Sequence, residues 1–149
     1  MHLAFYEIIE RTNDYSEYKF VSTGPNGNIW KLLVFKKLFV DKLYNLSLLD
    51  VMPDGTLSDS HLSNNNDLRK VLATIVQVII DYTTQFPDRN IFFQGSDDGR
   101  RISLYHKAIS KHLFVLDKIF DIYGICDDGG EESFNSAREY TAILVKRKQ

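Results

Sequence analysis

The chain holds one cysteine, Cys126, so no intramolecular disulfide forms and a disulfide-stapled scaffold is excluded. Proline is scarce, with three residues, and no Pro/Ser-rich linker, internal repeat or low-complexity tract divides the chain. No run reaches the roughly 20 uninterrupted apolar residues that span a bilayer. The longest candidate, residues 71–80, is broken by Thr74 and Gln77. An excess of positive charge is missing as well: 18 Lys and Arg face 20 Asp and Glu, a formal net charge of −2. That excludes a whole-surface basic footprint for nucleic acid and leaves only a local patch open. The opening MHLAFYEIIERTND has no basic segment, no apolar run behind one and no small-residue cleavage site, so it does not read as a signal peptide. A cytoplasmic protein without a membrane partner is expected.

Familiar chemistry is also sparse. His2, His61, His106 and His112 form no His-x3-His pair and have no cysteine nearby, so no metal site is expected. Gly-x-Ser-x-Gly and the phosphate loop Gly-x4-Gly-Lys-Ser/Thr do not occur. Cys126 lacks a flanking base and reads as a partly buried thiol. No cofactor is expected, and whether the protein is an enzyme stays undecided.

What is present is a globular composition: 44% hydrophobic, 26% charged and 13% aromatic residues over 149 positions. This suits a single domain over residues 1–149, long enough to bury roughly 68–70% of its unfolded surface. Residues 18–23 alternate in character and lead into Asn26-Gly27, a hairpin signal because both residues tolerate positive φ. Residues 29–40 return as a strand with Lys31, Lys36 and Lys37 at wet or edge positions. Residues 43–51 form a third strand, ended by Pro53-Asp54-Gly55. Leu68, Val71, Leu72, Ile75, Ile79, Tyr82 and Phe86 follow the helical period, with candidate N-caps at residues 63–67 and Pro87 as a stop. A short buried strand is expected at residues 90–94 and a second helix at about 99–113. Residues 114–125 are open between helix and strand, with a strand favoured around 119–123. Residues 127–136 read as an acidic loop, and residues 140–145 as a final strand from which Lys146, Arg147 and Lys148 leave the sheet. The order predicts an α+β fold with a mainly antiparallel sheet, an N-terminal β-hairpin or meander, one long amphipathic helix and one shorter helix.

Two turns carry the candidate site. At the opening of the second helix, Ser96, Asp97 or Asp98 caps the helix, and Arg100 and Arg101 are placed to grip a carboxylate or phosphate. Alternatively, Arg101 pairs with an acid or stacks on Tyr105 four residues on. The same helix carries Arg100, Lys107 and Lys111 on its outer face beside His106, a local basic stripe for nucleic-acid phosphates or simply a solvated face. Ahead of the long helix, Asn64 and Asn65 stand among four polar side chains in a row. They serve as caps, or as part of a recognition loop at a helix N-terminus.

With Ser22-Thr23-Gly24-Pro25-Asn26-Gly27, Tyr44-Asn45-Leu46, Ser63-Asn64-Asn65-Asn66-Asp67, Lys70-Val71-Leu72-Ala73-Thr74, Gly95-Ser96, Arg101 and Leu104-Tyr105 in view, the chain resembles a family of small uncharacterised bacterial proteins, mostly from Bacteroidota. The likeness covers nearly the whole chain and brings no assigned activity. The order long helix, strand, short helix, strand, strand is in addition similar to that of the GCN5-related N-acetyltransferases, as is the Leu104-Tyr105 pair. That likeness implies an acyltransferase-like architecture with a coenzyme A pyrophosphate loop ahead of the long helix. The family's loop is Gln/Arg-x-x-Gly-x-Gly/Ala; residues 63–68 here have no glycine, and Asp67 opposes a pyrophosphate.

The expected function is therefore a non-catalytic binding module for a protein or nucleic-acid partner, a homodimer interface included. Its site comprises Ser96, Arg100, Arg101, Tyr105, Asn64 and Asn65. The alternative is an acyltransferase-like enzyme with an atypical coenzyme loop.

Overall fold

The computed structural model describes residues 4–58, 65–94 and 100–149; the side chains of Arg100 and Arg101 lie outside that description. Among the described residues, nine strands and three helices follow one another as β1 (Glu10–Arg11), β2 (Glu17–Gly24), β3 (Gly27–Lys37), β4 (Leu43–Val51), β5 (Leu57–Ser58), α1 (Leu68–Gln85), β6 (Asn90–Gln94), α2 (Arg100–Lys111), α3 (Leu113–Ile119), β7 (Phe120–Ile125), β8 (Glu131–Ser133) and β9 (Ala142–Arg147). They build one sheet in the order β1-β2-β3-β4-β6-β9-β7-β8, with β5 added to β4. Every pairing is antiparallel except β4 with β6. The fold is α+β with an N-terminal meander.

The meander turns at Pro25-Asn26, between paired Gly24 and Gly27. Positive φ falls on Gly27, at 84°, rather than on both residues of the Asn26-Gly27 pair. Proline fixes its own φ near −65° and so takes the first corner of the turn. Gly24 is held by a different constraint, since a Cβ there would lie 2.1 Å from the Asn65 carbonyl oxygen.

Strand alternation sorts the sheet into two faces. One face carries Phe20, Leu33, Phe35, Leu46, Leu48, Ile91, Phe93, Phe120, Ile122, Ile143 and Val145, all buried. The helices cover this face: Tyr82 of α1 stacks on Phe35 at 3.6 Å, Tyr105 of α2 packs on Phe93 at 4.8 Å, and Leu116 of α3 joins the same core. The strip Val71, Leu72, Ile75, Ile79 and Tyr82 is the buried side of α1, as its spacing predicts. Phe86 ends the helix before Pro87.

Several sequence expectations are corrected. Lys31 is not a wet position: it is 3% exposed, on the same face as Leu33 and Phe35. Its register partner Asp50, 1% exposed, forms an ion pair with it. Residues 114–125 are both helix and strand, since α3 runs directly into β7. Lys146 and Arg147 stay in the sheet, paired with Asp121 and Phe120. Arg147 turns its guanidinium to Thr83 and Thr84 Oγ1 at 3.1 and 2.9 Å, closing the C-terminal end of α1. Within the acidic loop, Glu131–Ser133 pairs with β7.

Candidate functional site

The parallel pair fixes where a site lies. β3 lines one edge of β4 from Tyr44 to Val51, so β5 and β6 share the other edge. β6 holds only Leu43, Tyr44 and Asn45, while β5 holds Asp50 and Val51. Between them the edge forks, and the Leu48 N–H donates to Tyr105 Oη at 3.0 Å. Tyr105, 1% exposed, thus fills the fork and satisfies a strand donor that no neighbouring strand reaches.

Because β4 and β6 run parallel, their carboxyl ends lie at one end of the sheet. α1 precedes β6 and α2 follows it, so both helices begin at that same end. Neither helix has an acidic residue in its first turn. Arg69 and Lys70 open α1, and Arg100 and Arg101 open α2. All four basic positions thus lie in the first turns of helices that begin at the end of the sheet where β4 and β6 finish, with Arg69 and Lys70 on the meander side beside Tyr6 and Thr23.

Asp67 precedes α1 but does not cap it. Its carboxylate accepts instead from Tyr6 Oη and Ser22 Oγ, both at 2.5 Å. Tyr6 Oη in turn accepts the Thr23 N–H at 3.0 Å. The acid is thereby tied to the meander, and the first N–H groups of α1 are left uncapped by its side chain. A cleft of about 420 Å³ runs beside this network, between the N-terminal segment and α1, lined by Tyr6, Tyr18, Thr74 and Gln77. A second of about 360 Å³ includes Ala4, Asp67, Arg69 and Lys70. Lys70 Nζ stands 4.2 Å over the Tyr6 ring, which keeps the cation at this mouth.

Asn65 is 1% exposed and its amide is spent on the hairpin. Its Oδ1 accepts the Asn26 N–H at 2.8 Å, and its Nδ2 donates to the Gly27 carbonyl at 2.9 Å and toward Ser22. Asn64 and Ser96 lie outside the described residues, as do Asp97 and Asp98 and the side chains of Arg100 and Arg101. Lys107 and Lys111 are exposed on α2. His106 departs from that stripe: it packs 5.0 Å from Phe134, and its Nε2 lies 2.7 Å from the Arg138 carbonyl.

The sequence reading missed the buried Lys31–Asp50 pair, which lies on the helix-covered face toward this same end. The signal was available in the alternation Lys31-Leu33-Phe35, which places lysine with the core. Cys126 offers no nucleophile, since burial and the Glu132 carboxylate both push its thiol pKa up. Among the described residues no group of His, Cys, Asp and Glu is arranged to hold a metal ion. No helix among them is long and apolar enough to cross a membrane.

The fold defines a single-sheet α+β protein in which two helices begin at the end where β4 and β6 finish. The chain belongs to a family of unknown function, DUF6934, whose model matches residues 2–148. No curated protein and no solved structure matches it.

Proposed function

We propose that this chain is a non-catalytic binding module that takes an anionic group of a protein or nucleic-acid partner at the carboxyl end of β4 and β6. The observation that carries this reading is the placement of Arg69, Lys70, Arg100 and Arg101 in the first turns of two helices that begin at the same end of the sheet, with no acid in either first turn. Arg100 and Arg101 make the anionic contacts, with Ser96 and Asn64 as hydrogen-bonding neighbours. Asn65 and Tyr105 act through the elements they hold, the hairpin and the fork.

Retention on immobilised single-stranded nucleic acid and on polyglutamate, eluted with stepped salt, tests the reading. Arg69→Ala/Arg100→Ala should elute earlier and lower the logarithmic salt slope on nucleic acid by about 0.7 for each phosphate no longer neutralised. Lys107→Ala/Lys111→Ala should leave elution nearly unchanged. The reverse ranking would move the site to the outer stripe of α2, and no retention on either matrix would sink the proposal.

A second reading, acyl transfer, draws support from the fork: α1 crosses between parallel strands that pair only at Leu43–Asn45. Against it stand Tyr105 Oη, already engaged by Leu48, and the missing glycines ahead of α1. Coenzyme A decides between the readings. A ligand at 100 times its Kd adds about 2.7 kcal/mol to native stability, so a binding enzyme shows a clear thermal shift that Arg101→Ala removes. The binding-module reading expects none.

A further inference from the structure

The three described helices all cover one face of the sheet, and among the described residues no helix lies on the opposite face. Register assigns that face's residues to two apolar groups, Trp30, Leu32 and Leu49 on β3 and β4 and Phe92, Leu144 and Tyr123 on β6, β9 and β7, with Ser47 and Asn45 of β4 between them. Leu32 is 4% exposed and Trp30 is 41% exposed; Leu49, Phe92, Leu144 and Tyr123 are half-buried. Scattered apolar residues on a surface need no explanation, but two apolar groups on one uncovered sheet face do.

We infer that this helix-free face is an interface between two copies of the chain, packed sheet against sheet. Three observations select that occupant. Charge is the first. The face carries Lys19, Lys36 and Lys146 against Glu10, Glu17, Asp121 and Glu131; Lys36 stands beside Asn45 in register, and the others lie toward the flanks. Each flank holds both signs: Lys19 lies 3.5 Å from Glu10, and Lys146 pairs in register with Asp121. A near-neutral face of this kind suits a protein of similar surface and repels a polyanion as much as it attracts one.

Size is the second. About five strands at about 4.8 Å spacing and about 20–30 Å length give roughly 500–700 Å² in projection, near the about 800 Å² that each partner of a standard interface buries. Sheets packed face to face in this way are a standard solution for two apolar surfaces.

The third is a single polar group. Asn45 lies on this face, in central β4, and its Nδ2 donates to Ser47 Oγ at 2.9 Å. Its Oδ1 is the one buried side-chain polar atom among the described residues that has no hydrogen-bond partner. A carboxamide is self-complementary, offering a donor and an acceptor side by side. A two-fold axis passing beside Asn45 brings the second Asn45 to it, and a self-paired amide between the two apolar groups fixes one register.

Trp30 is the only tryptophan and lies on this face, so the intact chain carries its own reporter. Sedimentation across a wide concentration range should show a reversible species of twice 17.3 kDa. Dilution should increase quenching of Trp30 by acrylamide in step with dissociation. Leu49→Lys, whose side chain meets solvent in the isolated chain, should yield a monomer with an unchanged far-UV spectrum. Asn45→Asp should raise the dimer dissociation constant at least tenfold by placing two carboxylates at the axis, and it serves as the test should Leu49→Lys fail to fold. A wild-type chain that stays monomeric at every concentration overturns the inference. So does a dimer that both variants leave intact while Trp30 remains equally open to quencher. Anion retention by a monomeric wild type would leave the carboxyl-end site standing, so the two proposals fail separately.

Discussion

The two ends of α1 rest on very different chemistry. Its amino end sits over a polar patch in which Asp67, Tyr6, Ser22 and Asn65 bind one another and the Lys31–Asp50 pair is buried nearby. Its carboxyl end sits on aromatic rings: Phe35 stacks on Tyr82, Tyr15 meets Phe86 edge-on at 5.7 Å, and Arg89 lies 3.7 Å over Phe86 and 4.4 Å over Tyr44. Dispersion and apolar burial hold the aromatic end without directional demands. The polar end depends on each donor finding its acceptor, a costly way to close a core and a common way to define one geometry. The binding site proposed above falls at the polar end, so on that reading the polar network positions the site and the aromatic end holds the helix.

The largest effects should separate the two ends by how they are rescued. Lys31→Met alone removes the ion-pair partner of the buried Asp50 carboxylate and should cost about 3–5 kcal/mol in urea unfolding. Lys31→Met/Asp50→Leu should recover most of that loss, because two apolar side chains of similar volume replace two desolvated charges. Phe35→Ala should cost a similar amount, about 3–5 kcal/mol, through the cavity it opens against Tyr82. No second polar change should restore it. A double variant at Lys31 and Asp50 as unstable as the single one would show that the polar end does not behave as a charge pair.

Asn65→Ala should come next, at about 1–3 kcal/mol, since it leaves the Asn26 N–H and the Gly27 carbonyl without their side-chain partner. Amide exchange should then quicken at the Pro25-Asn26 turn and leave the Phe35–Tyr82 region protected. Uniform quickening would mean that the two ends unfold as one unit.

These residues also mark what a reader of the sequence sees and what stays hidden. The helical period of α1 and the Pro53-Asp54-Gly55 turn are local, and both appear as expected. Asn65 also reads locally, as a cap, yet its partners Ser22, Asn26 and Gly27 lie 38–43 residues away. Lys31 hides for a different reason. Lysine suggests water, and only the register of β3 against β4 sets Asp50 beside it. The α3–β7 junction is hidden because an apolar run carries no period of its own until a sheet edge claims part of it. The fork at Leu48 combines a parallel pairing with a helix residue 57 positions on, so nothing local announces it.

Alkali should strike the aromatic end first. Burial, joined by its hydrogen bond to Asp81, raises the Tyr18 pKa far above its ordinary value, and burial raises that of Tyr82 despite Arg89. A phenol that ionises near 10 in the unfolded chain and higher in the folded one contributes stability below about pH 10 and loses it as pH rises beyond. Phenolate absorbance followed with far-UV circular dichroism should show Tyr18 and Tyr82 among the tyrosines that ionise together with unfolding. Smooth titration of all eight tyrosines with the fold intact would contradict this.

The smallest effect concerns Asp14, in the turn that delivers Tyr15 to Phe86. Hydrogen bonds from the Ser16 hydroxyl and N–H, at 2.7 and 3.0 Å, and then from Thr12 Oγ1 at 2.8 Å, lower its pKa to about 2. A depressed carboxyl pKa favours the folded turn above the ordinary carboxylate range and withdraws that support as pH falls toward about 2. The group is fully exposed, so the effect belongs to the local turn rather than to global stability. Carboxyl NMR should place the Asp14 midpoint at about 2 in the wild type, and Ser16→Ala should move it back toward its ordinary value. The Tyr15 ring resonances should shift through the same midpoint while those of Tyr6, at the other end of α1, hold still. Tyr6 moving in step with Tyr15 would show that the turn acts on the whole helix and that the two ends are not independent.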